Sequence, residues 1–420
     1  MNESKYAIGV DVGTDLVKVV VGRVAPVGGD VPANTKSGAI TIIGVGTQKN
    51  SGMRKGQVVD LDKTAEAVDR ALEAAERMSG YQIERGTVSI NGSHIVGFAS
   101  KGVIAVGAGG QAIGREELTR VEEAATVVQL PANREILDVT PRSYKLDAQD
   151  GIRDPFGMTG VRLEVDAYMV TALMPPLKNL EKVLDMTQLS PRRIVVAGFA
   201  AARAALTDQQ RESGVVLIDI GASTTNVAVF EEGDIVHLAV LPIGSYNITN
   251  DIAIGLKTDL DVAEQIKLEH AVAAPELRRG RETTITMKAG GREVEFNTET
   301  LDDVVEARLA EIFELVNKEL KKAHRAANLP GGAVLTGGGA KLRGIADYAR
   351  EILSMNAIVA KTSGFDGMND QVNDPSFATA LGLMKIDFDL AEVGEQRGKN
   401  GWFANAGAKI SRLFGKLHKK

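Results

Sequence analysis

The stretch Val215 to Phe230, VVLIDIGASTTNVAVF, limits what this chain can fold into more than any other. Apolar and β-branched residues run from Val215 to Ile218, stop at Asp219 and restart at Asn226, which gives two strands joined by a tight turn. Gly221 has no Cβ, and Ala222 and Ser223 have small side chains, so backbone N–H groups can converge on an anion there. The Ser223, Thr224 and Thr225 hydroxyls add donors. An acid beside such a cradle does not suit phosphate alone, but Asp219 suits a hydrated Mg²⁺ that the phosphate shares.

The same design occurs earlier. Ile8 to Gly22, IGVDVGTDLVKVVVG, has an apolar strand, Asp11, Gly13, Thr14 and a second β-branched run. Each hairpin alone is compatible with an ordinary β-turn. Two copies about half a chain apart predict two similar lobes, each presenting one phosphate hairpin to a shared cleft. A third element, Ala333 to Ile345 (AVLTGGGAKLRGI), brings a short strand to Gly337, Gly338 and Gly339 and then to a helix. Bare backbone there admits a flat ring or a phosphate, and the helix N-terminus favours negative charge; in isolation the run also reads as a flexible loop.

Composition narrows the classes. At 420 residues and 44% apolar content the chain can fill two or more cores. It has no cysteine, hence no thiol nucleophile, Cys-ligated zinc or disulfide framework, and its five histidines have no metal-ligand spacing. A net charge of −6 and 4% aromatic residues argue against a nucleic-acid binder. MNESKYAIGV runs into the first strand without a secretory pattern, and no apolar run is long enough to span a bilayer, so the body is expected to be soluble and intracellular.

Between the motifs, Val24 to Gly38 reads as a Gly/Pro-rich turn and Ile40 to Gly46 as a strand. Asp62 reads as the N-cap of a helix carrying Val68, Ala71, Leu72 and Ala75. From Gly86 the pattern changes to short strands (Thr87 to Ile90, Ile95 to Ala99), a charged helix (Arg115 to Val128), an acidic loop and a strand (Arg162 to Ala172), predicting a small α+β insertion. A helix over Asn179 to Leu189 and a strand over Arg193 to Gly198 follow. The Ala-rich helix Ala200 to Leu206 next to them lets another backbone come close. Further on, Asp261 and Glu264 read as a capping box, with Glu264 and Lys267 an exposed pair on one helix face. A hairpin over Arg278 to Arg292 and a long helix over Leu301 to Ala323 complete the body.

Asp387 to Gly401 loses its periodicity and turns polar, as a tether does. Beyond it Trp402, Phe403, Ala406, Ile410, Leu413, Phe414 and Leu417 fall within a helical arc of roughly 120°, flanked by Lys409, Arg412, Lys416 and Lys419. Such a helix is too short and charged to cross a bilayer and suits an anionic membrane surface, each cation contributing about 1 kcal/mol. Docking on the chain's own body or capture by a calmodulin-like partner are the alternatives; the tether favours the membrane.

These motifs together resemble the actin, hexokinase and heat-shock-chaperone ATPase superfamily and, within it, the FtsA family of bacterial cell-division proteins. DVGTDLVK is similar to the first phosphate loop, DIGASTTNVAVF to the second, VLTGGGAKL to the adenosine loop, and EQIK (Glu264 to Lys267) to the helix that contacts adenine and ribose. Three features are more particular to FtsA: SGMRKGQVVDLDKT from Ser51, the inserted subdomain, and the tethered amphipathic helix.

The resemblance implies an α/β, two-lobed actin-like (ribonuclease-H-like) fold with an FtsA-type inserted α+β subdomain and a C-terminal amphipathic helix. The first lobe would take residues 1–85, the insertion 86–166, the first lobe again 167–207, and the second lobe 208–244. A second-lobe insertion would take 245–325, the second lobe again 326–362, a return to the first lobe 363–386, the tether 387–401 and the membrane helix 402–420.

It further implies an ATP-binding protein on the cytoplasmic face of the inner membrane at the division site. That protein ties the FtsZ ring to the membrane, polymerises and meets later division proteins. Asp11 and Asp219 would hold Mg²⁺ through water; Gly13, Thr14, Asp15 and Lys18 would flank the phosphates on one side and Gly221, Ala222, Ser223, Thr224 and Thr225 on the other. Gly337, Gly338 and Gly339, with Glu264 and Lys267, would take the nucleoside. The FtsZ C-terminal peptide would bind the second-lobe insertion at Arg308 and Glu311, which otherwise read as a surface i,i+3 pair.

The chain departs from the pattern at AGFAAAR, Ala197 to Arg203, where relatives that hydrolyse ATP well carry a Glu or Gln that orients water. Tight nucleotide binding with slow turnover is therefore expected. The competing readings are a small-molecule kinase, which needs a carboxylate base facing the acceptor hydroxyl that the sequence does not reveal, and another membrane-associated scaffold for pili or cell shape.

Overall fold

The structure, a computed structural model, describes residues 5–24, 40–107, 111–274, 276, 283–362, 364–367, 370 and 373–396. Two sheets carry the internal repeat. In the first, Lys5–Val12 and Leu16–Val24 form an antiparallel hairpin in the register Ile8↔Val21 to Val12↔Val17. Ile40–Lys49 adds antiparallel on one side, and Arg85–Ile90 followed by Ser190–Val196 add parallel on the other. Phe365–Asp366 is a short sixth strand against Ile40–Lys49.

The second sheet repeats this plan. Val215–Ile220, Thr225–Glu231 and Asp234–Leu241 form the antiparallel part, and Ala333–Thr336 and Ala357–Val359 the parallel part. Apart from the sixth strand, both sheets read third, second, first, fourth, fifth. Val215–Ile220 is buried at every position, which explains its uninterrupted apolar run: helices cover both faces of such a strand.

Helix Ala197–Ala205 joins the lobes. It packs on Val215–Ile220 and Thr225–Glu231 of the second sheet and against the long helix Ala378–Gln396, which also covers Lys5–Val12 of the first. A Cβ on Gly382 would lie 1.7 Å from the Ala200 carbonyl oxygen, so these two helices meet backbone to backbone, the close approach that the alanine run allows.

The inserted subdomain is a four-stranded antiparallel sheet, in the order Val96–Ala105, Arg162–Leu173, Arg134–Leu146, Gln149–Ile152. Helix Arg115–Ala125 closes its core through Val121 and Ala125, which pack with Leu163, Val165 and Met169.

Several expectations are corrected. The segment 87–90, expected in the insertion, pairs in parallel with Gly9 and Val10 and with Arg193 to Val196, so it belongs to the first-lobe sheet; the insertion's own sheet runs from Val96 to Leu173. Asp60, not Asp62, caps helix Leu61–Ser79, accepting from the Lys63 N–H at 3.1 Å. The helix expected from Asn179 begins at Met174, because two prolines fit a first turn whose N–H groups have no partner.

The tether does not start at 387. Helix Ala378–Gln396 continues through that point, and Asp387, fully buried, accepts from the Ile8 N–H at 3.0 Å and Thr87 Oγ1 at 2.9 Å, with Arg192 at 3.3 Å. The turn after Val24, residues 397–401 and the membrane helix expected at 402–420 lie outside the described residues. Among the described residues no helix is long and apolar enough to cross a membrane.

Candidate functional site

The turns of the two hairpins face each other across one cavity of about 640 Å³. Asp11, Gly13, Thr14, Asp15 and Lys18 line it from the first lobe, Asp219, Gly221, Ala222 and Thr224 from the second, and Gly337 to Gly339, Glu264 and Lys267 complete the wall. Gly337 takes φ 84°, and a Cβ there would lie 2.4 Å from the Ile220 carbonyl oxygen; glycine lets this loop pass under the second hairpin.

Two expected members are turned away. Thr225 is fully buried and donates to the Ile243 carbonyl at 2.9 Å, because as the first residue of its strand it faces the core side of the sheet. Ser223 does not line the cavity and instead donates to Thr14 Oγ1 at 2.9 Å.

Asp11 accepts from Ser89 Oγ at 2.8 Å and stands opposite Lys18 in the hairpin register. Burial pushes its carboxyl above the ordinary range, while Lys18 and Ser89 oppose the shift. Asp219 accepts from Asn226 Nδ2 at 2.9 Å; burial raises it to about 6, Asn226 opposes, the Asp11 charge adds to the rise and Lys18 opposes. Lys18 Nζ donates to the Ser376 carbonyl at 2.7 Å and lies 5.3 Å from the centroid of the Phe377 ring.

Two carboxylates that repel one another, Asp219 buried and Asp11 partly so, with hydroxyl and amide oxygens nearby, fit a hard, oxygen-liganded cation. Among the described residues no group of three or more His, Cys, Asp or Glu gathers to hold a metal. A cation here would therefore need water or a bound phosphate to complete its shell, which is how Mg²⁺ is usually held.

Glu264 and Lys267 are not the exposed pair expected. Lys267 Nζ is 2.7 Å from Glu264 Oε2 and donates to Thr249 Oγ1 at 2.9 Å, and its side chain is only 9% exposed. Nor do Asp261 and Glu264 form a capping box: Asp259 is the N-cap of helix Leu260–His270, and Glu264 accepts from Thr249 instead.

Sequence reading missed Asn91, whose Nδ2 donates to Thr224 Oγ1 at 3.1 Å, and Ser245, Tyr246, Lys341, Arg343 and Ser376, all on the cavity wall. Asp-Pro-Ser at 374–376 reads locally as a plain turn. Its position at the site comes from Thr336 Oγ1 and the Gly337 N–H, which donate to the Pro375 carbonyl at 2.8 and 3.1 Å. The Gly244-Ser245 pair at a helix start was the one available signal for Tyr246.

Arg308 and Glu311 lie outside the cavity, on helix Thr298–Lys322. Arg308 grips Asp251 with two nitrogens, at 2.5 and 3.0 Å, and also bonds the half-exposed Glu311. Ala197 lines the cavity with a methyl group alone.

The family model described as cell division protein FtsA matches residues 216–382, and that of the SHS2 domain inserted in FtsA matches 92–171. The chain is 35% identical to the cell division protein FtsA of Pseudomonas aeruginosa over 402 residues, covering 96% of this chain and 94% of that one. It is 35% identical to FtsA of Bacillus subtilis (92% and 84% covered) and 30% identical to FtsA of Escherichia coli K12 (100% and 99%).

Among solved structures, the PilM–PilN type IV pilus biogenesis complex superposes with a TM-score of 0.63 at 18% identity, covering 91% of this chain and 98% of the other. MreB5 of Spiroplasma citri bound to ADP gives 0.54 at 14%, covering 94% and 99%. These two share the fold alone. With relatives at 30 to 35% identity along most of their length, the chain belongs to the FtsA family of cell division proteins and has its actin-like fold.

Proposed function

We propose that the cavity binds ATP with Mg²⁺ between the lobes, and that the protein ties the FtsZ ring to the cytoplasmic face of the inner membrane and self-associates into actin-like filaments. The observation that carries the nucleotide reading is the meeting of two acid-tipped hairpin turns and a glycine loop around one cavity. MreB5, of the same fold, is solved with ADP.

In this reading Asp11 and Asp219 hold the hydrated cation, which would neutralise charge on the phosphates. Gly13, Thr14, Asp15 and Lys18 flank the phosphates on one side and Gly221, Ala222 and Thr224 on the other. The Ser223 hydroxyl joins them by exchanging Thr14 for a phosphate oxygen. Gly337 to Gly339, Glu264 and Lys267 take the nucleoside. Ala197 cannot orient a water, so turnover is slow.

Trp402, Phe403, Ile410, Leu413, Phe414 and Leu417 would enter the membrane interface with Lys409, Arg412 and Lys416 over anionic headgroups. The FtsZ C-terminal peptide would meet Arg308 and Glu311, the first held rigid by Asp251. Later division proteins are the remaining partners.

Calorimetry of the full chain with MgATP tests the nucleotide: a binding isotherm is expected, weakened about 100-fold in Lys18→Met, a loss typical of a buried charged contact. Absence of heat in the unaltered protein overturns the reading. Co-sedimentation with anionic liposomes, expected to be lost on deleting 401–420, tests the anchor, and intact binding by the truncated protein refutes it.

A further inference from the structure

Tyr246 is held at its two ends by different lobes. Its N–H donates to the Ala222 carbonyl at 2.7 Å, next to the Ser245 N–H on the Gly221 carbonyl at 2.9 Å, so the start of helix Ser245–Gly255 is locked onto the second hairpin turn. Gly244 permits the approach: a Cβ there would lie 2.6 Å from the Gly221 carbonyl oxygen and 2.8 Å from Ala222. At the far end of the ring the hydroxyl donates to Asp15 Oδ1, in the first hairpin turn, 231 residues away.

Both residues line the cavity. Burial, Asp15 and Glu264 all keep the phenol protonated and therefore a donor. Two other bonds cross the cleft here, Ser223 to Thr14 and Asn91 to Thr224, and each ends on a turn hydroxyl. A phosphate can compete for those hydroxyls. The Tyr246 ring springs from the helix behind the second turn, so its bond needs no hydroxyl of either turn.

Resting on the nucleotide reading above, we infer that Tyr246 is a positioning residue that fixes the separation of the two phosphate turns and so slows release of the bound nucleoside triphosphate. Opening the lobes to let the ligand go breaks the Tyr246–Asp15 bond, and removing the hydroxyl removes that step from the barrier. Entry into the cleft needs the same opening, so removing the hydroxyl eases association as well.

The test uses the full chain and its Tyr246→Phe variant, which keeps the ring and deletes the hydroxyl. With a fluorescent ATP analogue and Mg²⁺, dissociation is expected to quicken about tenfold and association to quicken with it. In an Asp15→Ala background the same substitution is expected to have no further effect, because the bond is already absent. An unchanged dissociation rate, or an acceleration that persists without Asp15, overturns the inference.

Hydrogen exchange of the nucleotide-free proteins gives a second arm that needs no ligand. Amides at 13–15 and 221–224 are expected to exchange several-fold faster in Tyr246→Phe. Should the unaltered protein bind no nucleotide, the functional proposal falls and the retention claim with it. The exchange arm then decides the turn-fixing role alone: equal exchange in the two proteins overturns it, and faster exchange upholds it.

Discussion

Ser223 Oγ donates to Thr14 Oγ1 at 2.9 Å across 209 residues of sequence, so the tips of the two repeated hairpins touch side chain to side chain. Thr14 Oγ1 also accepts from the Gly56 N–H at 3.2 Å, but losing either hydroxyl loses the same bond between the turns. Thr14→Val and Ser223→Ala are therefore expected to be non-additive: the double variant should melt no lower than the worse single variant, checked by thermal denaturation of ligand-free protein.

The contact between helices Ala197–Ala205 and Ala378–Gln396 leaves no room for a methyl group, since a Cβ on Gly382 falls 1.7 Å from the Ala200 carbonyl oxygen. Gly382→Ala should force the helices apart and cost about 3 kcal/mol or more, although alanine is the better helix former. A marked fall in melting temperature or in soluble yield is the expected reading; an unchanged melt would show that the helices are not in contact.

Asp387 ties the long helix to the first sheet through the Ile8 N–H and Thr87 Oγ1. Asp387→Ala would leave both buried donors without their acceptor and should cost about 2 kcal/mol or more, whereas a residue in a solvated tether would tolerate the change within about 0.5 kcal/mol. Comparing the melts of Asp387→Ala and Asp387→Asn checks this, the asparagine being expected to recover part of the loss.

His94 is 6% exposed, and neither ring nitrogen has a partner. Burial and the nearby Arg134 guanidinium lower its pKa to about 4. An unfolded chain takes up a proton near pH 6.5, while the folded one resists until about pH 4, so the folded state binds fewer protons in between and loses stability as pH falls through that window. The loss is at most about 3 kcal/mol. His94→Met should flatten the acid limb of a plot of melting temperature against pH; a limb of unchanged slope would place the acid sensitivity elsewhere.

Much of the architecture is legible without coordinates. The apolar runs that stop at Asp11 and Asp219, and the small residues after them, specify two hairpins, because strand period and turn chemistry act over a few residues. Their repetition announces two lobes, and Gly337 to Gly339 mark the third wall of the cavity. Element ends are less legible. Asp60 and Asp62 are both plausible caps, and only backbone geometry, with Asp60 extended at φ −139°, separates them.

What tertiary structure alone decided is the fate of side chains whose partners lie far along the chain. Thr225 and Thr224 are adjacent and identical, yet one faces the second-lobe core and the other the cavity. Asp387 sits in a stretch that reads as a polar tether and is instead buried against Ile8, 379 residues away. Asn91, Tyr246 and Ser376 reach the site only because separate strands and turns converge there. Local sequence sets propensity and pattern, whereas the burial and pairing that give a polar group its role arise when distant segments pack, and no short window contains that information.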